Sequence, residues 1–351
     1  MNGWTDHLVI APILVPMFAG AIMVLAGDRR RGLAMGLGLA STVLLLVLSV
    51  TLLVMADTAA VRIYRLGNWP SSFGIVLALD RLSALMVALT SLLGFAAFVF
   101  SLARWQRAGA HFQPLFQFQL MGLNGAFLTG DLFNLFVFFE VMLAASYGMA
   151  LHGSGIARVR AGLHYLVINL LASLLFLVGV SVVYGIAGTL NMAELASRMS
   201  DIATEDRALL EAGVAVLGIA FLVKAAMWPL GFWLPGTYAA ASAPAAAILS
   251  ILSKVGIYAV LRLWLLLFGA GAGDSAGLGG LWLTLGGLLT IAFGSAAVLA
   301  SQNLARLAGA CVLVSSGTLL ASIGMGQVAV TGGALFYLAG SVLAIGALFL
   351  L

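Results

Sequence analysis

Charge is what this chain has least of. Only 8% of its 351 residues are Asp, Glu, Lys or Arg, against about 25% in an ordinary soluble domain. Cysteine is limited to Cys311, which excludes an internal disulfide and a thiolate metal cluster. The four histidines, His7, His111, His152 and His164, lack the close spacing of a zinc site. No metal and no organic cofactor is therefore expected. The formal net charge of +4 comes from short loops rather than a basic face, so nucleic acid is not an expected partner. The first apolar run follows an uncharged-to-acidic start and leads straight into a span, unlike a cleavable signal peptide. Lysine is the scarcest cation, with two copies against fourteen arginines.

What fills the sequence is hydrocarbon. Hydrophobic residues make up 63%, and apolar runs of about 18 residues or more recur from end to end, the signature of a polytopic helical membrane protein. The expected fold is all-α, a transmembrane helix bundle inserted in the lipid bilayer. Its spans fall at 8–27, 32–55, 80–102, 112–129, 131–151, 162–187, 209–241, 243–268, 279–300, 306–326 and 332–351. That is about eleven crossings if the interrupted 209–241 segment counts once. Three regions are expected: helices one to three in 1–102, spans four to eight in 103–268, and spans nine to eleven in 279–351.

Arginines orient the bundle. Arg29, Arg30 and Arg31, then Arg104 and Arg107, then Arg158 and Arg160, then Arg306 occupy alternate loops. The positive-inside rule makes that side cytoplasmic, so the N-terminus is expected outside the inner cell membrane. Residues 56–79 are a polar excursion with Pro70 and several β-formers, expected as a small extramembrane hairpin. Residues 190–207, with Asn191, Glu194, Arg198, Asp201 and Glu205, pattern as a short amphipathic helix at the interface. The 42 glycines suit close helix packing in lipid.

Both lysines, Lys224 and Lys254, fall inside expected spans, whereas the arginines mark surfaces and loops. An ammonium in hydrocarbon costs roughly 2.5–3.5 kcal/mol on insertion scales, so an intramembrane lysine is a functional candidate. Lysine also releases its proton far more readily than arginine when buried. Among twelve carboxylates, only Glu140 is expected in mid-helix, about 13 Å along the axis from Asp131. Immediately after Lys224 come Pro229, Gly231, Pro235 and Gly236, which predict a helix break at Pro229 and Pro235. Freed carbonyls at membrane depth are tolerated only where buried in protein or lining a wet cavity, and an interrupted helix beside a cation is how transporters build midplane sites. A plain proline kink and a structural ion pair are the bland readings. Polar residues that can seat water are His164, Asn169 and Ser173 on span six, with Tyr165 on the same face, and Ser250, Ser253 and Tyr258 around Lys254.

The runs GDLFNLFVFFEVMLAASYGMALHG (130–153) and KAAMWPLGFWLPGTYAAASAPAAAILSILSKVGIYAVLR (224–262) resemble the antiporter-like membrane transporter family. The branch they resemble most is the D subunit of Mrp-type multisubunit cation/proton antiporters. The same family supplies proton-pumping membrane subunits of respiratory complex I. The resemblance implies two inverted five-helix repeats, each with one broken helix. It also implies a proton relay of Glu140, Lys224 and Lys254, with glutamate and first lysine as a charge pair and the second lysine central. The complex I branch usually carries histidine where this chain has Gly231, which tilts the resemblance towards the Mrp branch. The sequence departs from relatives at Ala305 and Gly340, in place of lysine and histidine, and Cys311 occupies a normally polar stretch. The chain also stops in an apolar run at Leu351, so the second repeat is expected to be incomplete, as in a segment of a longer subunit.

The expected function is a subunit of a monovalent cation/proton antiporter, sodium being the expected cation, with other membrane subunits as partners and no enzymatic step of its own. Sodium coupling is expected to involve those partners, since no dense oxygen cluster is present. Two other readings stand beside it: a proton-pumping subunit of a redox-driven complex, and a degenerate scaffold.

Overall fold

The computed structural model describes residues 4–27, 30–58, 60–71, 74–103, 111–153, 155–269 and 272–351. Arg29, Arg104 and Arg107 lie outside the described residues. Among those described, eight helices are long and apolar enough to cross a membrane. The helices are α1 Ala11–Ala26, α2 Arg31–Ala56, α3 Arg81–Ala103, α4 Phe112–Leu128, α5 Leu132–Ala150, α6 Ile156–Ala187 and α7 Met192–Arg198. They continue as α8 Thr204–Lys224, α9 Trp233–Ala240, α10 Ala243–Leu249, α11 Leu252–Leu267, α12 Gly280–Ala300, α13 Leu304–Gly324 and α14 Val328–Leu350. Two compact units result, one of residues 1–162, 240–249 and 349–351, the other of 163–239 and 250–348.

In the first unit α4 is the central rod, packed against α1, α3 and α5. Nearly every α4 residue is buried, including Gln113, Gln117, Gln119 and Asn124. Its amides reach other helices: Ser41 Oγ donates to Gln117 Oε1 at 2.7 Å, and Asn124 Nδ2 donates to Pro12 O at 2.9 Å. Such bonds join helices where lipid offers no hydrophobic driving force. The polar 56–79 excursion is a hairpin, β1 Arg62–Arg65 antiparallel to β2 Val76–Leu79, in the register Arg62 opposite Leu79. Asp131 starts α5 by accepting the Asn134 N–H at 2.8 Å, the expected N-cap geometry. Burial pushes the Asp131 carboxyl above its ordinary 3.8, against the pull of the Asn134 and Phe133 N–H groups.

In the second unit α8 packs on α11, α7 packs on α11, and α12 pairs with α13. Several boundaries differ from the sequence reading. Helix α6 begins at Ile156, not 162, because its first turn is held from the side: Arg158 Nε donates to Ala240 O at 2.7 Å and Nη1 to His152 O at 2.6 Å. At 32 residues it runs about 48 Å, beyond a ~30 Å hydrocarbon core. The amphipathic helix covers only 192–198, capped by Asn191 Oδ1 on the Ala193 and Glu194 N–H groups. Helix α8 then starts at Thr204, with Glu205 and Asp206 in its first turn, where acidic side chains favour the helix dipole. This places Glu211 inside a helix, its Oε1 accepting from Ser275 Oγ at 2.6 Å. Arg262 likewise lies within α11, so the arginines are not confined to surfaces and loops.

Candidate functional site

Lys224 is the last residue of α8 and is 1% exposed. Its Nζ donates to Ser173 Oγ on α6 at 3.5 Å. One turn earlier on the same face, Asn169 is fully buried, donating from Nδ2 to Tyr165 O at 3.0 Å while its Oδ1 finds no partner among the described residues. The Tyr165, Asn169 and Ser173 row is thus turned inward, and all three are buried. His164 is exposed beside this row, its ring 5.2 Å from that of Phe232.

The helix stops after Lys224 for local reasons. Ala226 is left-handed at φ +58°, and Pro229 has no N–H to continue the ladder. The released groups are taken up one by one. Met227 N donates to Leu222 O at 3.0 Å, Trp228 N to Thr290 Oγ1 at 2.9 Å, and Trp233 Nε1 to Val223 O at 3.1 Å. Thr290 at the same time donates to Gly286 O at 2.6 Å, so α12 grips the break. Gly231 is required here: a Cβ would lie 2.2 Å from Ala226 O. The chain resumes as α9, with Pro235 in its first turn, where proline initiates rather than interrupts. Trp233 stacks 5.1 Å from Tyr165, closing the break with aromatic carbon. A cavity of about 160 Å³ remains, lined by Ala226, Trp228, Pro229, Gly231, Phe232, Thr290, Phe293 and Leu313.

A second interruption follows. The expected 243–268 span is divided at Ser250 and Ile251 into α10 and α11, and Ser253 Oγ donates back to Ser250 O at 3.1 Å. Lys254 comes in the first turn of α11, 1% exposed, and its Nζ has no hydrogen-bond partner among the described residues. Close to it, Gly256 lets α11 touch α8: a Cβ there would sit 2.6 Å from Ala225 N and 2.8 Å from Phe221 O. Tyr258 is buried one turn beyond Lys254, and its hydroxyl accepts from Arg262 Nε at 2.7 Å.

Glu140 belongs to the first unit. It is half-buried on α5 and interacts electrostatically with Tyr147, two turns along the same helix. Sequence reasoning missed Thr290 and Arg262, although a hydroxyl and a cation inside apolar runs are visible signals. It also missed Ser316 and the α4 glutamines; Ser316 Oγ, Gln117 Nε2 and both polar side-chain atoms of Gln119 are buried and have no hydrogen-bond partner among the described residues. Partnerless buried polar atoms of this kind are the places where ordered water is held.

The family profile described as NADH:quinone oxidoreductase/Mrp antiporter, TM, matches residues 129–351. The chain is 58% identical over 356 aligned positions to a protein of Rhizobium meliloti (strain 1021) named as the D subunit of a probable K(+)/H(+) antiporter, covering 100% of this chain and 66% of that one. It is 38% identical to the D subunit of the Na(+)/H(+) antiporter of Alkalihalophilus pseudofirmus, covering 98% of this chain and 69% of that protein. Its fold superposes on a chain of the Mrp complex from Dietzia sp. DQ12-45-1b with a TM-score of 0.88 at 28% identity, covering 98% of this chain and 63% of the other. The chain thus spans about two thirds of the length of these relatives.

Proposed function

The chain belongs to the NADH:quinone oxidoreductase/Mrp antiporter transmembrane family, and from that membership we propose that it serves in a multisubunit monovalent cation/proton antiporter. It is a multi-pass membrane protein; its place in the inner cell membrane with the N-terminus outside is part of the proposal, supported by the arginines at Arg30, Arg31, Arg158, Arg160 and Arg306. The observation that carries the functional reading is Lys224: a buried ammonium at a helix break, beside the Ser173 hydroxyl.

In this reading Lys224 takes a proton, the Glu140 carboxylate tunes its affinity, and Lys254 receives the proton next. A carboxylate within about 4–6 Å of a base shifts its proton affinity by one to three pKa units, each about 1.4 kcal/mol. Motion of a charge pair through that range is enough to load and unload a lysine. His164, Asn169, Ser173, Ser250, Ser253 and Tyr258 are the supporting polar groups, and no cofactor takes part. The cation crosses with the help of other membrane subunits. Sodium and potassium both stand as candidates, because the relative at 58% identity bears a potassium name and the one at 38% a sodium name.

The test is cation-driven proton flux in everted vesicles carrying the assembled complex, with sodium and potassium supplied separately. Lys224→Ala is expected to abolish flux with either. Flux at the wild-type rate in that variant would instead identify a scaffold subunit. Recovery of iron–sulfur proteins with the purified complex would favour the redox-driven reading.

A further inference from the structure

Arg158 and Arg160 leave the same turn of α6 in different directions. Arg160 is exposed, whereas Arg158 is half-buried and turned inward. Its Nε donates to Ala240 O at 2.7 Å and its Nη1 to His152 O at 2.6 Å. Each acceptor belongs to a helix end. Ala240 closes α9, and His152 follows the last turn of α5, its N–H donating to Met149 O at 3.2 Å. The final carbonyls of a helix have no intrahelical donors and form the negative end of its dipole. One planar fork of donors thus caps two helices at once, a geometry that the point charge of a lysine does not reproduce.

The corner around this fork is firmly seated. The buried His152 ring lies 4.9 Å from that of Phe112 at the start of α4, and α10, which begins at Ala243, packs on α3 and α5. Arg158, His152 and Ala240 all lie in the first unit, and Ala240 is where the chain enters it from the second. Arg158 therefore holds the far end of the interrupted segment. From Ala240 back to Trp233, α9 is an unbroken run of eight residues, about 12 Å long. Trp233 Nε1 donates in turn to Val223 O at 3.1 Å, one residue before Lys224.

We propose that Arg158 is a positioning residue for the relay. It ties the end of α5, the helix of Glu140, to the end of α9, the helix whose Trp233 holds the turn before Lys224. The inference rests on the relay reading above. Arg158 itself moves no proton, since a guanidinium keeps its own at any working pH. Without the fork the end of α9 is free to shift, Trp233 shifts with it, and Lys224 loses its setting. Two competing explanations exist. Arg158 as a plain helix cap would matter for stability and not for rate. Arg158 as a loop cation would count only towards orientation, as Arg160 does.

The experiment uses the assembled complex with Cys311→Ser as background. Nitroxide labels at Leu151→Cys and Ala241→Cys report the distance between the two helix ends by pulsed electron paramagnetic resonance. Cation-driven proton flux is measured per assembled complex. Arg158→Gln is expected to broaden the distance distribution and to lower maximal flux about tenfold, the loss expected when hydrogen bonds to a charged group go. The cation concentration giving half-maximal flux should stay unchanged. Arg160→Gln removes the same charge from the same turn and should leave distance and flux at parental values. Arg158→Lys keeps the charge without the fork, so it should restore the amount of complex while the rate per complex stays low; it also decides if Arg158→Gln does not assemble. Trp233→Phe removes the Nε1 donor at the other end of α9. If Arg158 acts through α9, the double variant is no slower than the slower single one.

An unchanged distance distribution, a parental rate per complex in either Arg158 variant, an equal loss in Arg160→Gln, or losses that multiply in the double variant would each overturn the positioning role. Lys224→Ala separates the two levels of inference. Full flux in that variant defeats the relay, and the label distances alone then decide whether Arg158 ties the helix ends. Lost flux in Lys224→Ala beside a parental rate in Arg158→Gln defeats the positioning role alone.

Discussion

The Nζ of Lys224 and the Oγ of Ser173 meet at 3.5 Å, joining the end of an interrupted helix to the middle of the longest one. The contact is at the outer limit of a hydrogen bond, so the hydroxyl holds the ammonium loosely. Ser173→Ala is therefore expected to lower cation-driven proton flux about five- to tenfold, near the lower end of what a hydrogen bond to a charged group is worth. Ser173→Thr keeps the hydroxyl and should recover most of the rate. Equal rates for alanine and serine at this position would show that the hydroxyl has no part in loading Lys224.

Thr290 is expected to matter at a distance from any proton. Its Oγ1 accepts the Trp228 N–H at 2.9 Å, one of the donors released where α8 ends. Thr290→Ala leaves that amide without an acceptor, at a cost of about 1–3 kcal/mol when the group is buried. The measurement is the melting temperature of the solubilised complex beside its flux, with Thr290→Ser as the rescue. A threonine-to-alanine variant as stable and active as the parent would mean that the break holds itself.

Most of the scaffold was readable in advance. Apolar run length gave the helices, and Pro229 with Gly231 gave the break after Lys224, because both signals are local and strong. The hairpin at 62–79 followed from polarity and β-formers. The interruption at Ser250 and Ile251 was not readable, since neither residue forbids a helix and only tertiary packing decides between them. The start of α6 at Ile156 depends on Arg158 reaching two carbonyls, one of them 82 residues away, which no window of sequence contains. What Thr290 holds escaped for the same reason, because its partner Trp228 lies 62 residues away. Arg262 was legible as a cation in an apolar run, four residues from its partner Tyr258. The charged candidates Glu140, Lys224 and Lys254 stood out because hydrocarbon makes charge rare.

Gly256 should be intolerant where Gly340 is not. A methyl at 256 would lie 2.6 Å from Ala225 N and 3.0 Å from Lys224 C, whereas nothing lies within 4 Å of one at 340. Backbone on the far side cannot yield as a flexible side chain can, so Gly256→Ala must push α11 away from α8 and displace Lys224. Overpacking of this kind costs about 1–3 kcal/mol. The expected result is a lower amount of complex in the membrane, or a lower melting temperature, for Gly256→Ala, and parental values for Gly340→Ala. Parity between the two would show that the α8–α11 seam is looser than the close approach implies.

Lys254 is expected to set stability against activity. It is 1% exposed and its Nζ has no hydrogen-bond partner among the described residues, so its polar end is a liability for the fold. An unpaired polar group in such a place costs about 1–3 kcal/mol, more when charged. Lys254→Met has nearly the same length and no such end, and should stabilise the complex by an amount in that range, read as a higher melting temperature. The same substitution should abolish proton flux if Lys254 is a relay. Lys254→Arg separates charge from proton release, because a guanidinium keeps its proton at any working pH; it should lose flux as fully as methionine while losing the gain in stability. A methionine variant that is less stable than lysine, or that still transports, would mean that the ammonium is kept for packing and not for protons.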